Sequence, residues 1–319
     1  MQQLQTFEDL RCDEPGRIQE SCRAAHHNSP SCPTKWSNPL SRLDSHGVRI
    51  RSRNGVSTTK VNAVTTTDVG GIYDVAVMAV RSDAVGSAVD DFRAAVGVGT
   101  WIIPLTNGMA HLSTLTTSFG AAAVLGAVAK LATSLLPDGT IEEVQSGAAR
   151  EIGSLEGGHG SDLSTIATEL AVAGVTVSVT NTVLAAMWQK FAFITATAVL
   201  TCLAGDVIGA VAGACGRIGL AGRVLDEVDS VAAAEGHPLG GPAKSALLGL
   251  LTDPESRFAP SLFRDLQAGR PVEVSVLSDL AARARRHHIT TPLLDATTVV
   301  IDVRAHDVTR RVPTSVQSE

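Results

Sequence analysis

The chain has 319 residues, of which 44% are apolar and 18% charged, and its formal net charge is −6 at pH 7. This length predicts two domains, and the negative charge gives no electrostatic reason to expect nucleic acid or an anionic membrane as a partner. Five cysteines form no C-x-x-C pair. An odd number in so long a chain predicts reduced thiols and a cytoplasmic protein. Charges near the N-terminus also argue against a signal peptide.

Residues 1–38 have no apolar periodicity and hold three of the five cysteines. We therefore predict an irregular segment there, and it looks foreign to the rest of the chain. His26 and His27 lie between Cys22 and Cys32, but their spacing matches no metal motif. We accordingly expect no metal site.

Short valine-rich runs alternate with a helical pattern from about residue 48 to 180, which is typical of an α/β domain. Nearly continuous apolar runs predict parallel strands covered on both faces. The crossover helix between the first two runs is predicted from Val85, Val89, Phe92 and Val96, which recur at helical spacing. The strand runs are "IYDVAVMAV" (72–80), "TWIIPLT" (100–106) and "AAAVLGAVA" (121–129), and "TIEEVQS" and "AREIGSLEG" predict a hairpin pair after them.

The pattern becomes helical after residue 181, with Gly or Pro at the breaks. One uncharged run, Phe191 to Gly205, resembles a membrane span. It is shorter than the ~20 residues a span requires, so a buried core helix is the better interpretation. An integral membrane protein built on residues 191–215 remains an alternative.

These patterns predict an α/β domain followed by an all-α domain. The predicted boundaries are 1–38 for the irregular segment, 39–180 for the α/β domain, 181–308 for the helical domain and 309–319 for a tail.

The stretch "AAMWQKFAFITA" (185–196) places one cation, Lys190, in an otherwise apolar helix. An apolar setting penalises the charged ammonium and lowers its pKa, and a lysine with a lowered pKa can act as a general acid near neutral pH. The alternative is a lysine on the solvent edge of the helix, whose stem covers apolar surface.

From about Leu40 onward the chain resembles the ketopantoate reductase (2-dehydropantoate 2-reductase) family. The most specific similarities are "MWQKFAF", which matches the family's W-x-K helix, and "SLFRDLQAGRPVEVSVL", which matches its S-x-x-x-D-x-x-x-x-R-x-x-E segment. "DVAVMAVRS" and "IIPLTNGMAH" match the end of one strand and an Asn-Gly turn. The resemblance implies an incomplete Rossmann-like dinucleotide-binding domain and a helical C-terminal domain of the 6-phosphogluconate dehydrogenase-like type.

The resemblance also implies a function. The family reduces the 2-oxo group of ketopantoate, a step of pantothenate biosynthesis, with NADPH, and it often forms homodimers. The catalytic residues carried over are Lys190, as proton donor to the carbonyl oxygen, and Glu273, as its hydrogen-bonding partner or the substrate's. Ser261 is implied to contact the substrate carboxylate, Asn107 to touch both substrate and cofactor, and Arg81 to bind the cofactor.

Each of these positions also has an ordinary structural explanation. Glu273 could be a carboxylate favoured at a helix N-terminus, and Ser261 an N-cap hydroxyl. Asn107 with Gly108 could form a simple turn. Arg81, which stands where the family commonly has Lys, could face solvent rather than a phosphate.

Two features depart from the family. No strand is followed by a G-x-G-x-x-G turn, whose amides hold the pyrophosphate in dinucleotide-binding domains; the nearest series, "GRIGLAG" at 216–222, lies in a helical stretch. Ile194 and Ala198 occupy positions where ketopantoate reductases carry asparagines, so the preferred 2-oxoacid could differ. A second hypothesis is therefore a non-catalytic remnant, a helical dimerisation or interaction protein without cofactor.

Overall fold

The computed structural model describes residues 43, 46–136, 138–157, 161–171 and 175–311. The predicted irregular segment 1–38, with its histidines and cysteines, lies outside these residues. The chain divides into two compact units between Leu184 and Ala185. The N-terminal unit contains strands and helices, and the C-terminal unit is helical, which confirms the predicted fold class.

Seven strands and three α-helices make up the described part of the N-terminal unit. The strands are β1 (Val48–Ser52), β2 (Gly55–Thr59), β3 (Val75–Met78), β4 (Trp101–Pro104), β5 (Leu125–Leu135), β6 (Ile141–Ser154) and β7 (Val175–Val179). The helices are α1 (Val85–Phe92), α2 (Ala110–Phe119) and α3 (Ser161–Leu170).

Strands β3 and β4 pair in parallel, and an isolated bridge between Ile102 and Val124 connects β4 to the start of β5. The remaining strands form a sheet of order β2-β1-β6-β5, in which β7 also pairs with β6. The α1 crossover between two parallel strands is the connection that the sequence predicts.

Side chains of β3 and β4 alternate between two apolar clusters, because successive residues of a strand point to opposite faces. Val75 and Ile103 belong to one cluster, which α3 helps to cover. Met78 and Ile102 belong to the other, which includes residues of α1 and α2. Both strands are therefore buried on two faces, as their continuous apolar runs predict.

The predicted hairpin of "TIEEVQS" and "AREIGSLEG" is wrong. Both runs belong to the single long strand β6, which pairs antiparallel with β5. The turn lies earlier, where the Asp138 side chain accepts hydrogen bonds from the backbone N–H and the hydroxyl of Thr140. Gly139 adopts φ 78° there. An Asp-Gly pair is a strong turn signal, whereas the Ser146-Gly147 pair between the two runs lies within β6 and does not reverse the chain.

The C-terminal unit is built from helices, as predicted. They are α4 (Val183–Ala204), α5 (Ile208–Gly213), α6 (Arg217–Ala234), α7 (Gly240–Leu251), α8 (Ser261–Gln267), α9 (Ser275–Arg286) and α10 (Pro292–Arg311), and α4 starts at the boundary between the units. The glycine series at 216–222 opens and continues α6 and follows no strand, so it is not a phosphate-binding turn.

Helix α4 is long and apolar enough to cross a membrane by length and composition alone. Every residue from Thr195 to Cys202 is buried, on all sides of the helix. A helix that is apolar all round is typical of a protein core as well as of a membrane span, and this burial favours the core interpretation.

The segment that leads from α7 to α8 passes close to α5. The backbone N–H groups of Ile208 and Gly209 donate to the carbonyl oxygens of Phe258 and Ser256, at 3.0 and 2.8 Å. A Cβ atom on Gly209 would lie 2.4 Å from the Ser256 oxygen, which is too close for any contact. Gly209 therefore permits this approach.

We predict that Gly209→Ala destabilises the protein by about 1–3 kcal/mol, because the added methyl group must displace the backbone of the segment. Gly213→Ala is the matched control in the same helix, since nothing lies within 4 Å of a Cβ atom there. Equilibrium urea unfolding measures both variants. Equal stabilities of the two variants would contradict the prediction.

Candidate active site

Lys190 lies in the second turn of α4 and is half-buried. Burial lowers the pKa of its ammonium group to about 8, and desolvation is the only contributor to this shift. Among the residues that the structure describes, Lys190 forms no hydrogen bond or ion pair. A nearby carboxylate would raise the pKa again. Lys190 is therefore a desolvated amine without a counter-ion in the described structure.

Trp188, two residues before Lys190, holds the start of α4 in the core. It is 1% exposed, and its ring lies 5.5 Å from the Phe191 ring. The His237 ring stacks on it at 6.2 Å, and the guanidinium carbon of Arg283 lies 5.5 Å from the ring centre. The tryptophan of the W-x-K motif thus anchors the turn of α4 that carries the lysine.

Arg283 is itself fixed by a network of charges. It forms ion pairs with Asp279 and Glu235, and Arg286 and His287 also contact Glu235 at 3.1 and 2.8 Å. Burial raises the pKa of the Glu235 carboxyl, but hydrogen bonds from His287, Arg286 and Arg283 outweigh it and hold the pKa below its ordinary value. Glu235 is therefore ionised at neutral pH and keeps Arg283 over the Trp188 ring.

Ser261 is the first residue of α8 and is half-buried. The N-cap position is occupied by Pro260, and no side chain caps this helix. The explanation of Ser261 as an N-cap hydroxyl is thus wrong, because Ser261 is the first residue inside the helix and not the cap. Within the described residues its hydroxyl forms no hydrogen bond, which leaves it available to a ligand.

Glu273 lies in the loop before α9, directly before the N-cap Val274, and is half-buried. The loop is closed by an ion pair in which the Arg270 guanidinium contacts the Asp265 carboxylate at 2.6 Å, and the Arg270 N–H also donates to the Asp265 carbonyl oxygen. These are the Asp and Arg of the S-x-x-x-D-x-x-x-x-R-x-x-E segment. They fix the turn between α8, which begins with Ser261, and the loop that carries Glu273.

Asn107 and Arg81 follow the carboxyl ends of the neighbouring strands β4 and β3. The Thr106 hydroxyl donates to the Val80 carbonyl oxygen at 3.1 Å, which joins the two loops. Ligands of open α/β sheets bind at this edge. Both residues are therefore placed at the edge where a dinucleotide is expected.

The two side chains differ in what they already contact. Arg81 donates from Nε and Nη2 to the two carboxylate oxygens of Asp83, at 3.2 and 3.0 Å. Asn107 is half-buried, and its amide makes no hydrogen bond within the described part of the chain. Asn107 therefore fits a ligand-binding role better than Arg81, whose charge is partly neutralised by Asp83.

Sequence reasoning missed two residues, one in each unit. His111 is 2% exposed in the first turn of α2, four residues after Asn107, and only the folded structure shows its burial. Arg283 belongs to the basic run "ARARRHH", which favours an exposed last turn of a helix near its negative end. The aromatic contact with Trp188 spans 95 positions of sequence, so no local signal reveals it.

Among the residues described, no cluster of three or more His, Cys, Asp or Glu is arranged to hold a metal ion. Cys202 is buried and Cys215 exposed, and both are free thiols. Burial raises the pKa of Cys202 to about 11. Its thiol is therefore protonated at neutral pH and unreactive as a nucleophile.

Two family models match the chain, "Ketopantoate reductase PanE/ApbA" over residues 24–157 and "Ketopantoate reductase PanE/ApbA C terminal" over residues 182–305. The chain belongs to the ketopantoate reductase family, with both of its domains. This confirms the resemblance found in the sequence.

Similar proteins agree with this assignment. The uncharacterised oxidoreductase YkpB of Bacillus subtilis (strain 168) is 22% identical over 80% of this chain and 84% of its own length. The 2-dehydropantoate 2-reductase of Methylococcus capsulatus is 22% identical, with a TM-score of 0.74 over 86% of this chain and 88% of that one. A D-mandelate dehydrogenase in a ternary structure with NADH and anilino(oxo)acetate is 15% identical, with a TM-score of 0.74 over 85% and 88%. At these identities the solved structures show the fold alone.

The lowered pKa of Lys190 predicts how its charge affects stability. Because the folded pKa of about 8 lies below the ordinary 10.5, the unfolded chain binds more protons between these values, and stability rises with pH across that window. Lys190→Met should therefore stabilise the protein at pH 7, by about 1–3 kcal/mol, with the gain fading towards pH 10.5.

Equilibrium unfolding of wild type and Lys190→Met at several pH values between 7 and 10.5 measures this difference. Lys60→Met, at an exposed position, is the control and should change stability little at any pH. A constant difference between wild type and Lys190→Met across the range would show that the Lys190 pKa is ordinary.

Proposed function

We propose that this protein reduces the 2-oxo group of a small 2-oxoacid with a nicotinamide cofactor, with NADPH as the expected cofactor and ketopantoate or a related acid as the substrate. The observation that carries the proposal is the desolvated ammonium of Lys190, which has no ion-pair partner among the described residues and lies on a helix anchored by Trp188. Membership of the ketopantoate reductase family supports it.

Reduction of a carbonyl group requires a hydride at carbon and a proton at oxygen. The cofactor supplies the hydride. As negative charge develops on the carbonyl oxygen, an adjacent ammonium both stabilises that charge and delivers the proton. A pKa of about 8 keeps Lys190 mostly protonated at pH 7 while making it a much stronger acid than an ordinary lysine.

The other site residues have roles that fit their surroundings. The hydroxyl of Ser261, which forms no hydrogen bond within the described residues, would donate to the substrate carboxylate. Glu273, on the loop fixed by Asp265 and Arg270, would accept a hydrogen bond from the substrate or from Lys190. Asn107 would hold the cofactor and substrate at the edge of the sheet, and Arg81 could contact a phosphate only through donors that Asp83 does not take.

The D-mandelate dehydrogenase structure contains NADH, which leaves the choice between NADH and NADPH to experiment. The alternative function is a non-catalytic family member without cofactor, and the missing G-x-G-x-x-G turn favours it. The cytoplasmic location and the homodimer stay predictions.

We predict that the full chain binds NADPH more tightly than NADH. The test is fluorescence titration of each reduced cofactor, with calorimetry as a second measurement. Binding of NADH alone would overturn the expected cofactor but keep the reductase. Absence of binding at millimolar concentrations of both would replace the reductase by the non-catalytic alternative.

We predict that Lys190→Ala lowers kcat for 2-oxoacid reduction by ~100-fold or more, because the developing oxyanion loses its proton donor. In the wild type, kcat should fall as pH rises through about 8, where Lys190 loses its proton. Lys60→Ala, at an exposed position, should leave both the rate and the pH profile unchanged. An unchanged rate in Lys190→Ala would exclude the proposed role.

A further inference from the structure

Two phenylalanine rings meet in the helical unit that contains Lys190 and Ser261. The rings of Phe193 and Phe258 lie 5.2 Å apart between centroids, at an angle of 44°. This tilted geometry is a favourable aromatic contact. Phe193 is half-buried, but Phe258 remains 38% exposed. An aromatic pair that is only partly covered leaves apolar surface that a ligand could bury.

The pair joins the two elements that carry the proposed substrate contacts. Phe193 lies three residues after Lys190 on α4, so the two side chains share a face of the helix. Helical side chains lean towards the N-terminus, which directs the Phe193 side chain towards the turn that contains Lys190. Phe258 lies three residues before Ser261. The ring contact therefore places the Phe258 segment next to the lysine turn.

Backbone contacts hold Phe258 in position. Its carbonyl oxygen accepts a hydrogen bond from the N–H of Ile208, and its N–H donates to the Ser256 hydroxyl at 3.3 Å. The close approach at Gly209 fixes the same segment against α5. The backbone that carries the exposed Phe258 ring is therefore held by hydrogen bonds. A ligand that binds the ring does not have to order this segment.

Another neighbour of Lys190 on this helix face is also apolar. Ile194 lies four residues after Lys190 and is half-buried. Phe193, Ile194 and Phe258 offer no hydrogen-bonding side chain. A polar group buried against them would lose its contacts with water without compensation, whereas an apolar group would gain from burial.

The chemistry of a 2-oxoacid links this surface to selectivity. Its carbonyl carbon bears the carboxylate on one side and the variable side chain on the other. If the carbonyl oxygen meets Lys190 and the carboxylate meets Ser261, the side chain is left beside these two elements. Ketopantoate carries a hydroxyl group on its side chain, which finds no partner among the three apolar residues.

We propose that the Phe193–Phe258 pair forms the apolar wall for the substrate side chain and makes the enzyme selective for 2-oxoacids with a large side chain that lacks polar groups. This inference rests on the proposed function and specifies its substrate class. Ketopantoate is accordingly a poorer substrate than an apolar molecule of the same shape.

The test compares kcat/KM for three 2-oxoacids, namely ketopantoate, its isostere 3,3-dimethyl-2-oxopentanoate, in which a methyl group replaces the hydroxyl, and phenylglyoxylate. In the wild type, the two apolar acids should be preferred to ketopantoate by ~10-fold or more. Phe258→Ala should lower kcat/KM for the two apolar acids by ~10-fold and change that for ketopantoate by less than ~3-fold, and Phe258→Leu should recover much of the loss.

Phe263→Leu is the control, because Phe263 is fully buried in α8 and its replacement tests packing alone. It should lower stability without changing the ratio of kcat/KM values among the three acids. Equal losses for all three acids in Phe258→Ala, or a wild-type preference for ketopantoate, would overturn the inference while leaving the proposed reductase intact.

A binding measurement distinguishes failure of the proposed reductase function from failure of the apolar wall. If no 2-oxoacid is reduced with either cofactor, the proposed function fails. Calorimetric titration of phenylglyoxylate then tests the wall by itself, because binding that weakens ~10-fold in Phe258→Ala would still support it. Absence of phenylglyoxylate binding, or equal binding to wild type and Phe258→Ala, would overturn it.

Discussion

The desolvation of one ammonium group, that of Lys190, is the physical constraint on which the candidate site depends. Lys190 lies on a helix whose later residues are buried on every side, and it makes no ion pair in the described structure. The cost of burying its charge lowers its pKa to about 8. Folded proteins retain such an unfavourable burial of charge where the group has a function. Perturbed pKa values are accordingly frequent at functional sites.

The motif residues around Lys190 and Glu273 mostly support the site rather than line it. Trp188 holds the first turns of α4 through the His237 ring and the guanidinium group of Arg283. The Asp265–Arg270 ion pair closes the turn before Glu273. Functional side chains require such support, because small displacements of a reacting group cost large factors in rate.

The departures from the family concern two different properties. The missing glycine turn bears on how the pyrophosphate of a dinucleotide would be held, while the carboxyl edge of β3 and β4, with Asn107, remains in place. The replacement of asparagine by Ile194 bears on the substrate instead. Phe193 and Ile194 follow Lys190 by three and four residues on α4, and under the proposed function these apolar side chains would disfavour polar groups on a substrate.

Local patterns in the sequence determined the α/β and all-α division, the buried strands β3 and β4, and the helix that carries Lys190, because burial on one or both faces leaves a periodic trace. They misplaced the hairpin, because the Ser146-Gly147 pair resembles a turn signal although β6 runs through it. The Asp138-Gly139 turn was available as a signal. Ser261 was correctly placed at a helix start, but Pro260 and not Ser261 is the cap.

Tertiary structure alone decided what surrounds each side chain. The sequence could suggest that Lys190 is desolvated, but only packing established that desolvation acts on it without an opposing carboxylate from the described residues. The contacts of Trp188 with Arg283 and of Phe193 with Phe258 join residues 95 and 65 positions apart, and no periodicity encodes a pairing across such a distance. Composition and spacing indicate which faces are buried. Which residues contact one another on those faces is determined only by tertiary packing.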